Sequence, residues 1–220
     1  MAGLWHHYQA GGWAMWLILF WLICAIAVIA ERAVFLFGAA SINKEVFLAT
    51  MQKCILAGDV AKAVKMASAA NAPLARIVQA GLVKVNRPDE EVQAAMDEAA
   101  LKEMPAINKR TGFLALFANL AMLCGLFGTI VGLIKAFAAV GGESIDPSQK
   151  ARILAEGISE AMNCTAFGLI SAITALTGFA VMNGKTQSIE DDINEASVVV
   201  LNLVVANRQK VNLQGLEGAA

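Results

Sequence analysis

Two hydroxyl-bearing residues stand inside long apolar segments of this chain. Thr129 lies in the run from Thr111 to Ile134 and Thr165 lies in the run from Ala161 to Gly184, and neither run contains Asp, Glu, Lys or Arg. A threonine hydroxyl donates and accepts hydrogen bonds, so it can solvate a hydrated proton or Na⁺ on a polar path. It can equally bond to the carbonyl one turn earlier and stay inert. The residues alone leave both roles open.

Glu160 and Asn163 are further polar residues at the start of the third apolar segment. Glu160 is either the mouth of an ion route or a solvated residue at the end of a span. A helix turns about 100° per residue, so Glu160 and Thr165 are about 140° apart and are predicted to face different neighbours. The Asn163 amide predicts a hydrogen bond across a helix interface.

No Asp or Glu lies at the middle of an apolar segment, where a proton relay normally needs a titratable group. If the chain conducts protons, a partner must therefore supply the carboxyl. The sequence also lacks a Ser-His-Asp set, a phosphate-binding glycine loop and a metal-ligand cluster. None of its four cysteines forms a Cys-x-x-Cys motif, so they are interpreted as small apolar packing residues. These features predict that the chain is not an enzyme and that it uses no cofactor or metal.

Small residues recur at helical spacing in the second and third apolar segments. They let two helices approach closely in lipid, where helix association depends on packing contacts because the hydrophobic effect does not drive it. The predicted packing residues are Gly125, Gly128 and Gly132 in the second segment, and Gly157, Ala161, Gly168 and Ala172 in or next to the third.

Composition indicates a membrane protein. Of the 220 residues, 58% are hydrophobic and 16% are charged, against about 25% charged in a typical soluble domain. Three segments are long enough to span a bilayer, the first from about Trp13 to Ala30. This first segment has no basic residues ahead of it and no small-residue cleavage site, so it predicts a retained anchor. The predicted fold class is all-α, with three transmembrane helices extended into the cytoplasm as long helices.

Lysine and arginine predict the orientation. Residues 1–30 contain neither, whereas Arg32, Lys109 and Arg110 flank the spans directly, and basic flanks tend to stay cytoplasmic. The net charge of −1 does not indicate nucleic acid binding. The predicted segments are an outward N-terminus and first transmembrane helix (1–38), a cytoplasmic helical region (39–110), the second transmembrane helix (111–140), a short outer link (141–157), the third transmembrane helix (158–184) and a cytoplasmic helix and tail (185–220).

The large loop is predicted to be helical as well. Residues 43–70 carry apolar residues at helical spacing and are predicted as one helix, and "PLARIVQAGLVKV", from Pro73, as a second. Asp89 is the predicted N-cap of a third helix, which is expected to continue into the second span as one rod bent at Pro105.

Two segments resemble the MotA/TolQ/ExbB proton channel family. "ANLAMLCGLFGTIVGLIKAF", Ala118–Phe137, resembles the second-span signature of the family, and "GISEAMNCTAFGLISAI", Gly157–Ile173, resembles its third-span signature. "PLARIVQAGL", Pro73–Leu82, is similar to a cytoplasmic segment of the TolQ/ExbB branch. The order of three spans and the large first loop agree with this resemblance.

The resemblance implies an ion-conducting subunit of a motor in the bacterial inner membrane, which converts the ion-motive force into mechanical work. It implies a homopentamer around two copies of a single-span partner of the MotB/TolR/ExbD type, which carries an intramembrane aspartate. By position, Thr129 and Thr165 match the pore-facing threonines of the family, and Glu160 matches its third-span glutamate. Whether the ion is a proton or sodium stays open.

The sequence departs from the family at Met122 and Thr174, where members often have proline, and this puts any kink at these positions in doubt. Asn163 stands where the family usually has an apolar residue. These departures indicate a divergent branch, with a gliding-motility motor as one candidate. Two other functions remain: a non-conducting scaffold that assembles partner helices, and a solute transporter, which is disfavoured because the chain has no broken helix or inverted repeat.

Overall fold

The computed structural model describes residues 12–39, 42–141 and 146–207, and the regular structure in these ranges is entirely helical. Within this part of the chain, the predicted all-α class is confirmed. Three helical stretches are long and apolar enough to cross a membrane, as the sequence predicts: Ala14–Gly38, Asp89–Val140 and Pro147–Asn207.

The helices follow one another without any strand in the described ranges. A π-helical turn, Phe35–Ala39, continues the first helix. The helices are α1 (Ala14–Val34), α2 (Lys44–Leu56), α3 (Val60–Ala69), α4 (Pro73–Val83), α5 (Asp89–Asn108), α6 (Thr111–Val140) and α7 (Pro147–Asn207).

The chain divides into two compact units. The membrane unit comprises Met1–Arg32 and Arg110–Val181, and the loop unit comprises Ala33–Lys109 and Met182–Ala220. The membrane unit therefore contains most of α1, all of α6 and the first part of α7. The loop unit contains α2 to α5 and the last part of α7.

The expected continuous rod from the loop into the second span is not present. Helix α5 ends at Asn108, Lys109 has an extended conformation (φ −54°, ψ 135°), and Arg110 is left-handed with φ 64° before α6 begins at Thr111. Pro105 lies inside α5 and does not end it. The break thus lies at two basic residues, and a left-handed non-glycine residue interrupts the helical hydrogen-bond ladder there.

The guanidinium of Arg110 forms two hydrogen bonds with the Glu31 carboxylate, at 2.5 and 2.6 Å. A single guanidinium nitrogen, Nη1, donates to both carboxylate oxygens, and this ion pair joins the basic end of α1 to the start of α6 within the membrane unit. Arg32, the next residue of α1, is buried, with 3% of its surface exposed.

Residues 43–70 form two helices rather than the one that was predicted. The chain turns at Gly58, which has φ 77°, and Asp59 then caps α3 by accepting a hydrogen bond from the Lys62 amide at 3.0 Å. Apolar periodicity continues across this turn, which is why the pattern alone did not show it. Asp89 is also not a cap: it is the first residue of α5, and Pro88 precedes it without a side-chain hydrogen bond.

The loop unit packs an apolar core and carries ion pairs outside it. Gly81 of α4 lies against Met96 of α5, where a Cβ would be 2.5 Å from Met96 Cγ. Outside the core, Lys44 contacts Asp192 and Glu195 of α7, both at 2.7 Å. The fully buried apolar residues of this unit include Met51, Ile55, Ile77, Val78, Leu82, Met96, Ile193 and Val200.

Candidate functional site

Helix α6 buries one narrow face along its whole length. The buried positions are separated by steps of three or four residues, which is the spacing of a left-handed helix pair. In the second half of the helix most of these positions are glycine, so the buried face has almost no side-chain volume there. The buried residues are Thr111, Leu114, Ala118, Ala121, Gly125, Gly128, Gly132 and Ala136.

The glycines of α6 bring its backbone against α7. A Cβ at Gly125 would lie 3.1 Å from the Cys164 carbonyl oxygen and 3.2 Å from Gly168 Cα. A Cβ at Gly168 would lie 3.0 Å from Gly125 Cα and 3.0 Å from the Ala121 carbonyl oxygen. These positions leave no room for a larger side chain, so the two backbones meet directly.

The same close approach continues towards the start of α7. A Cβ at Gly132 would lie 3.5 Å from Ala161 Cβ, and a Cβ at Gly157 would overlap Ala136 Cβ. Ala172 is also buried, with 5% of its surface exposed. The small residues singled out in the sequence therefore lie in tightly packed positions of this unit.

Helix α1 joins this contact through Gly128. A Cβ at Gly128 would lie 2.8 Å from Ala14 Cβ and 3.0 Å from Cys164 Sγ. Ala14 and Cys164 belong to one buried apolar cluster together with Met15, Ile18 and Ala121. The cysteine acts here as a small packing residue, in line with its sequence interpretation.

Thr129 and Thr165 lie at the edge of this helix contact and form a hydrogen bond between their hydroxyl oxygens. Both residues are half-buried. Thr129 Oγ1 also lies 3.0 Å from the Gly125 carbonyl oxygen and 3.3 Å from the Ala161 carbonyl oxygen. We call Thr129 and Thr165 the hydroxyl pair.

The hydroxyl pair has two protons for several acceptors. If Thr129 donates to a carbonyl oxygen, Thr165 donates to Thr129, and Thr165 Oγ1 is then an acceptor for a further donor. Two hydroxyl oxygens and the carbonyls of Gly125 and Ala161 form a compact group of oxygen atoms between α6 and α7. Such a group can take the place of part of the hydration shell of a small cation.

Glu160 faces a different neighbour from Thr165, as their angular separation predicts. Its carboxylate lies against Gly12, just before α1, where a Cβ would overlap Glu160 Oε1. Gly12 has φ 68°, which an L side chain rarely adopts. Glu160 also lines an open cavity of about 460 Å³ together with Arg152, Glu156 and Ser159.

Asn163 is half-buried, and its side chain has no hydrogen bond to any residue that the structure describes. The interhelical bond predicted from its sequence position therefore does not form within the described part of one chain. It remains a prediction for contacts with another copy or a partner helix. Thr174, where the family often has proline, is exposed and bonds to the Ile170 carbonyl at 2.9 Å.

The sequence interpretation missed several residues that shape this site. Ala14 and Cys164 close the space around Gly128, and Gly12 makes room for the Glu160 carboxylate. The spacing of Ala118, Ala121 and Ala136 with the glycines could have identified the whole buried face of α6, because all of them follow the same steps of three and four. No sequence signal pointed to the contact between Gly12 and Glu160.

Comparison with known proteins agrees with these features. The family model described as the MotA/TolQ/ExbB proton channel family matches residues 69–195, more than half of the chain. These residues include α4 to α6, the hydroxyl pair and Glu160.

Individual relatives carry names from the same family. The Tol-Pal system protein TolQ of Haemophilus influenzae is 36% identical over 98 residues, which is 44% of this chain and 42% of the relative. An ExbB-like biopolymer transport protein of Synechocystis sp. is 31% identical over 181 residues, 78% of this chain and 67% of the relative. The match thus spans less than half of the TolQ protein and two thirds of the ExbB-like one.

A solved structure has a similar fold. The structure of C. jejuni MotAB aligns with a TM-score of 0.61 at 16% identity and covers 92% of this chain and 79% of that one. At this identity the likeness shows the arrangement of helices.

Proposed function

Because this chain belongs to the MotA/TolQ/ExbB proton channel family, we propose that it is the ion-conducting subunit of an inner-membrane motor. In this proposal the ion is a proton, and its flow drives mechanical work through a single-span partner of the MotB/TolR/ExbD type. The observation that carries the proposal is the hydroxyl pair, which joins two carbonyl oxygens at a glycine-lined contact of α6 and α7.

The chain supplies oxygen ligands, and the partner supplies the titratable group. The apolar segments 111–134 and 161–184 contain no carboxylate of their own. A proton therefore needs an intramembrane aspartate from the partner, while the hydroxyl pair solvates it during transfer. One charge moving through 100 mV releases about 2.3 kcal/mol, which is the energy available per ion for mechanical work.

The assembly is a pentamer of this chain around two copies of the partner. Many large apolar side chains of α6 and α7 are exposed in the single chain, among them Phe127, Ile130, Met162 and Ile173. Lipid or neighbouring helices can cover this surface, since both are as apolar as the side chains themselves.

In the proposed orientation, Arg32 and Arg110 lie at the cytoplasmic side, and the N-terminus is periplasmic.

The decisive experiment measures ion flux through the intact complex. The chain is tagged, purified with its partner from its native membrane, and reconstituted into liposomes that contain a pH-sensitive dye. Thr129→Val and Thr165→Val keep the side-chain shape and remove the hydroxyl, so proton flux is expected to fall at least about tenfold. Thr174→Val is the matched control, because Thr174 lies on α7 but its hydroxyl is bonded to the Ile170 carbonyl at an exposed position.

A non-conducting scaffold is the second candidate, and one observation favours it. Thr129 Oγ1 has a carbonyl acceptor in its own helix, Gly125 O at 3.0 Å, which satisfies the hydroxyl without any ion. A scaffold predicts that both valine variants assemble with the partner and leave the flux unchanged. Repeating the measurement with a sodium gradient and a sodium-sensitive dye tests the choice of ion.

A further inference from the structure

The hydroxyl of Thr111, at the other end of α6, is buried without a hydrogen-bond partner among the described residues. Thr111 has 4% of its surface exposed, and its Oγ1 atom is closed off from solvent. A buried hydroxyl that makes no hydrogen bond is unfavourable, so it needs either a bound water or a functional reason.

The local backbone explains why this hydroxyl is unsatisfied. Three other hydroxyls of the membrane unit bond back to the carbonyl four residues earlier: Thr129 to Gly125, Ser171 to Phe167 and Thr174 to Ile170. Thr111 is the first residue of α6 and follows the left-handed Arg110, so its own helix has no preceding turn. The hydroxyl must find its partner outside α6.

Thr111 lies on the same side of α6 as the hydroxyl pair. Thr111 and Thr129 are about five helical turns apart, which is roughly 27 Å along the axis. This distance is close to the thickness of the hydrocarbon core, about 30 Å. Thr111 and Thr129 therefore lie on one face of α6 and near opposite surfaces of the membrane. An ion route that passes Thr129 and follows this face reaches the other membrane surface at Thr111.

Thr111 follows Arg110, whose guanidinium is paired with the Glu31 carboxylate. The next buried residues of α6 on the same face are the apolar Leu114 and Ala118. An ion that leaves the apolar part of α6 therefore meets Thr111 as the first side-chain hydroxyl of this face.

We propose that Thr111 is a further ion-route residue, whose hydroxyl holds the water through which the ion leaves at the basic end of the membrane unit. This inference rests on the proposed function. The hydroxyl suits the task because it can accept from a hydrated proton and donate to the next water. Thr111 does not select the ion, since water itself contacts the ion there.

The competing account is a dry packing residue. In that case Thr111→Val removes an unsatisfied polar group and keeps the shape of the side chain, so the protein becomes more stable and the flux stays the same. In the proposed account the variant removes a partner of the water, so the flux falls and the midpoint of thermal unfolding does not rise.

The experiment uses the complex purified with its partner and reconstituted in liposomes with a pH-sensitive dye. Four variants are compared with the wild type: Thr111→Val, Thr111→Ser, Thr129→Val and the control Thr174→Val. We expect Thr111→Val to lower proton flux at least about tenfold, Thr111→Ser to retain most of it, and Thr174→Val to leave it unchanged. Thermal unfolding of each complex is measured in parallel.

Two results overturn the inference. One is unchanged flux in Thr111→Val, with or without a raised unfolding midpoint. The other is an equal loss of flux in Thr111→Val and Thr111→Ser, which indicates a role for side-chain shape rather than for the hydroxyl. The variant Thr129→Val shows whether the inference about Thr111 fails alone or together with the proposed function. If the flux is unchanged in Thr129→Val as well, the proposed ion route is wrong. If the flux falls in Thr129→Val but not in Thr111→Val, only the role of Thr111 is rejected. If Thr111→Val does not assemble, Thr111→Ser decides, since the inference requires it to conduct.

Discussion

Gly125 of α6 and Gly168 of α7 face each other at a close approach of the two helix backbones. A Cβ on either residue would come within 3.0–3.2 Å of the Cα of the other. This contact sets the distance between the two helices and hence the distance between the hydroxyls of Thr129 and Thr165, which are the next inward-facing polar groups. The glycines are thus required for the geometry of the hydroxyl pair.

The first prediction concerns this contact. Gly125→Val is expected to destabilise the membrane unit by about 1–3 kcal/mol, because the side chain must push the α7 backbone away. Gly112→Val is the matched control on the same helix, where nothing lies within 4 Å of a Cβ. Thermal unfolding in detergent micelles compares the two. Equal stability of both variants would show that the helices are not in close contact in the native assembly.

The second prediction concerns Gly12 and Glu160. Gly12→Ala is expected to displace the Glu160 carboxylate, and the left-handed backbone costs about 1–2 kcal/mol in addition. A double-mutant cycle with Glu160→Ala separates the two contributions, because removing the carboxylate relieves the overlap and leaves the backbone cost. The unfolding midpoints of the four proteins give the coupling. Strict additivity of the two changes would contradict the contact.

The third prediction concerns the ion pair of Arg110 with Glu31. About half of each side chain is exposed, at 44% and 47%, so the pair is expected to contribute no more than about 1 kcal/mol. Glu31→Gln should therefore cause a small loss of stability that shrinks at high salt. The charge-reversed double variant Arg110→Glu with Glu31→Arg should recover part of it. A loss several times larger for Glu31→Gln would indicate that Glu31 has a further role.

The fourth prediction concerns pH and the loop unit. Hydrogen bonds that the Lys44 ammonium donates to the Asp192 and Glu195 carboxylates raise the pKa of Lys44. Because the folded-state pKa lies above the unfolded value of about 10.4, this contribution to stability is complete below that pH and is lost as the pH rises towards the folded pKa. The rate of amide hydrogen exchange in α2 should therefore rise with alkaline pH more steeply than the intrinsic exchange rate of an unstructured chain.

Lys44→Gln is the control for this prediction, since it removes the titrating group and keeps most of the side chain. Its amides in α2 should exchange faster than those of the wild type at neutral pH, and the difference should disappear at strongly alkaline pH. A difference that persists there would mean that Lys44 stabilises α2 by packing rather than by charge.

Much of the fold followed from local pattern. Long apolar runs without charge predict spans because the hydrocarbon core excludes charged groups, and the start of α4 followed from Pro73, whereas its end lies at Val83 rather than at the predicted Val85. The breaks were harder to find. Gly58 and Arg110 both take left-handed conformations, and apolar periodicity continues across Gly58. Arg110 is not a glycine, and its side chain pairs with Glu31, a contact distant in sequence that a local pattern does not contain.

The candidate site divides in the same way. The residue types alone determined which groups could meet an ion, since Thr129 and Thr165 carry hydroxyls inside apolar segments and Glu160 lies at the start of one, and the small residues nearby permit close helix contact. Only the tertiary structure decided which of them meet: the hydroxyls of Thr129 and Thr165 join each other, Glu160 lies against Gly12, and Thr111 is buried without a partner in the described chain. The physical reason is that helix periodicity fixes the direction of a side chain about its own axis, whereas its neighbours depend on how α1, α6 and α7 pack.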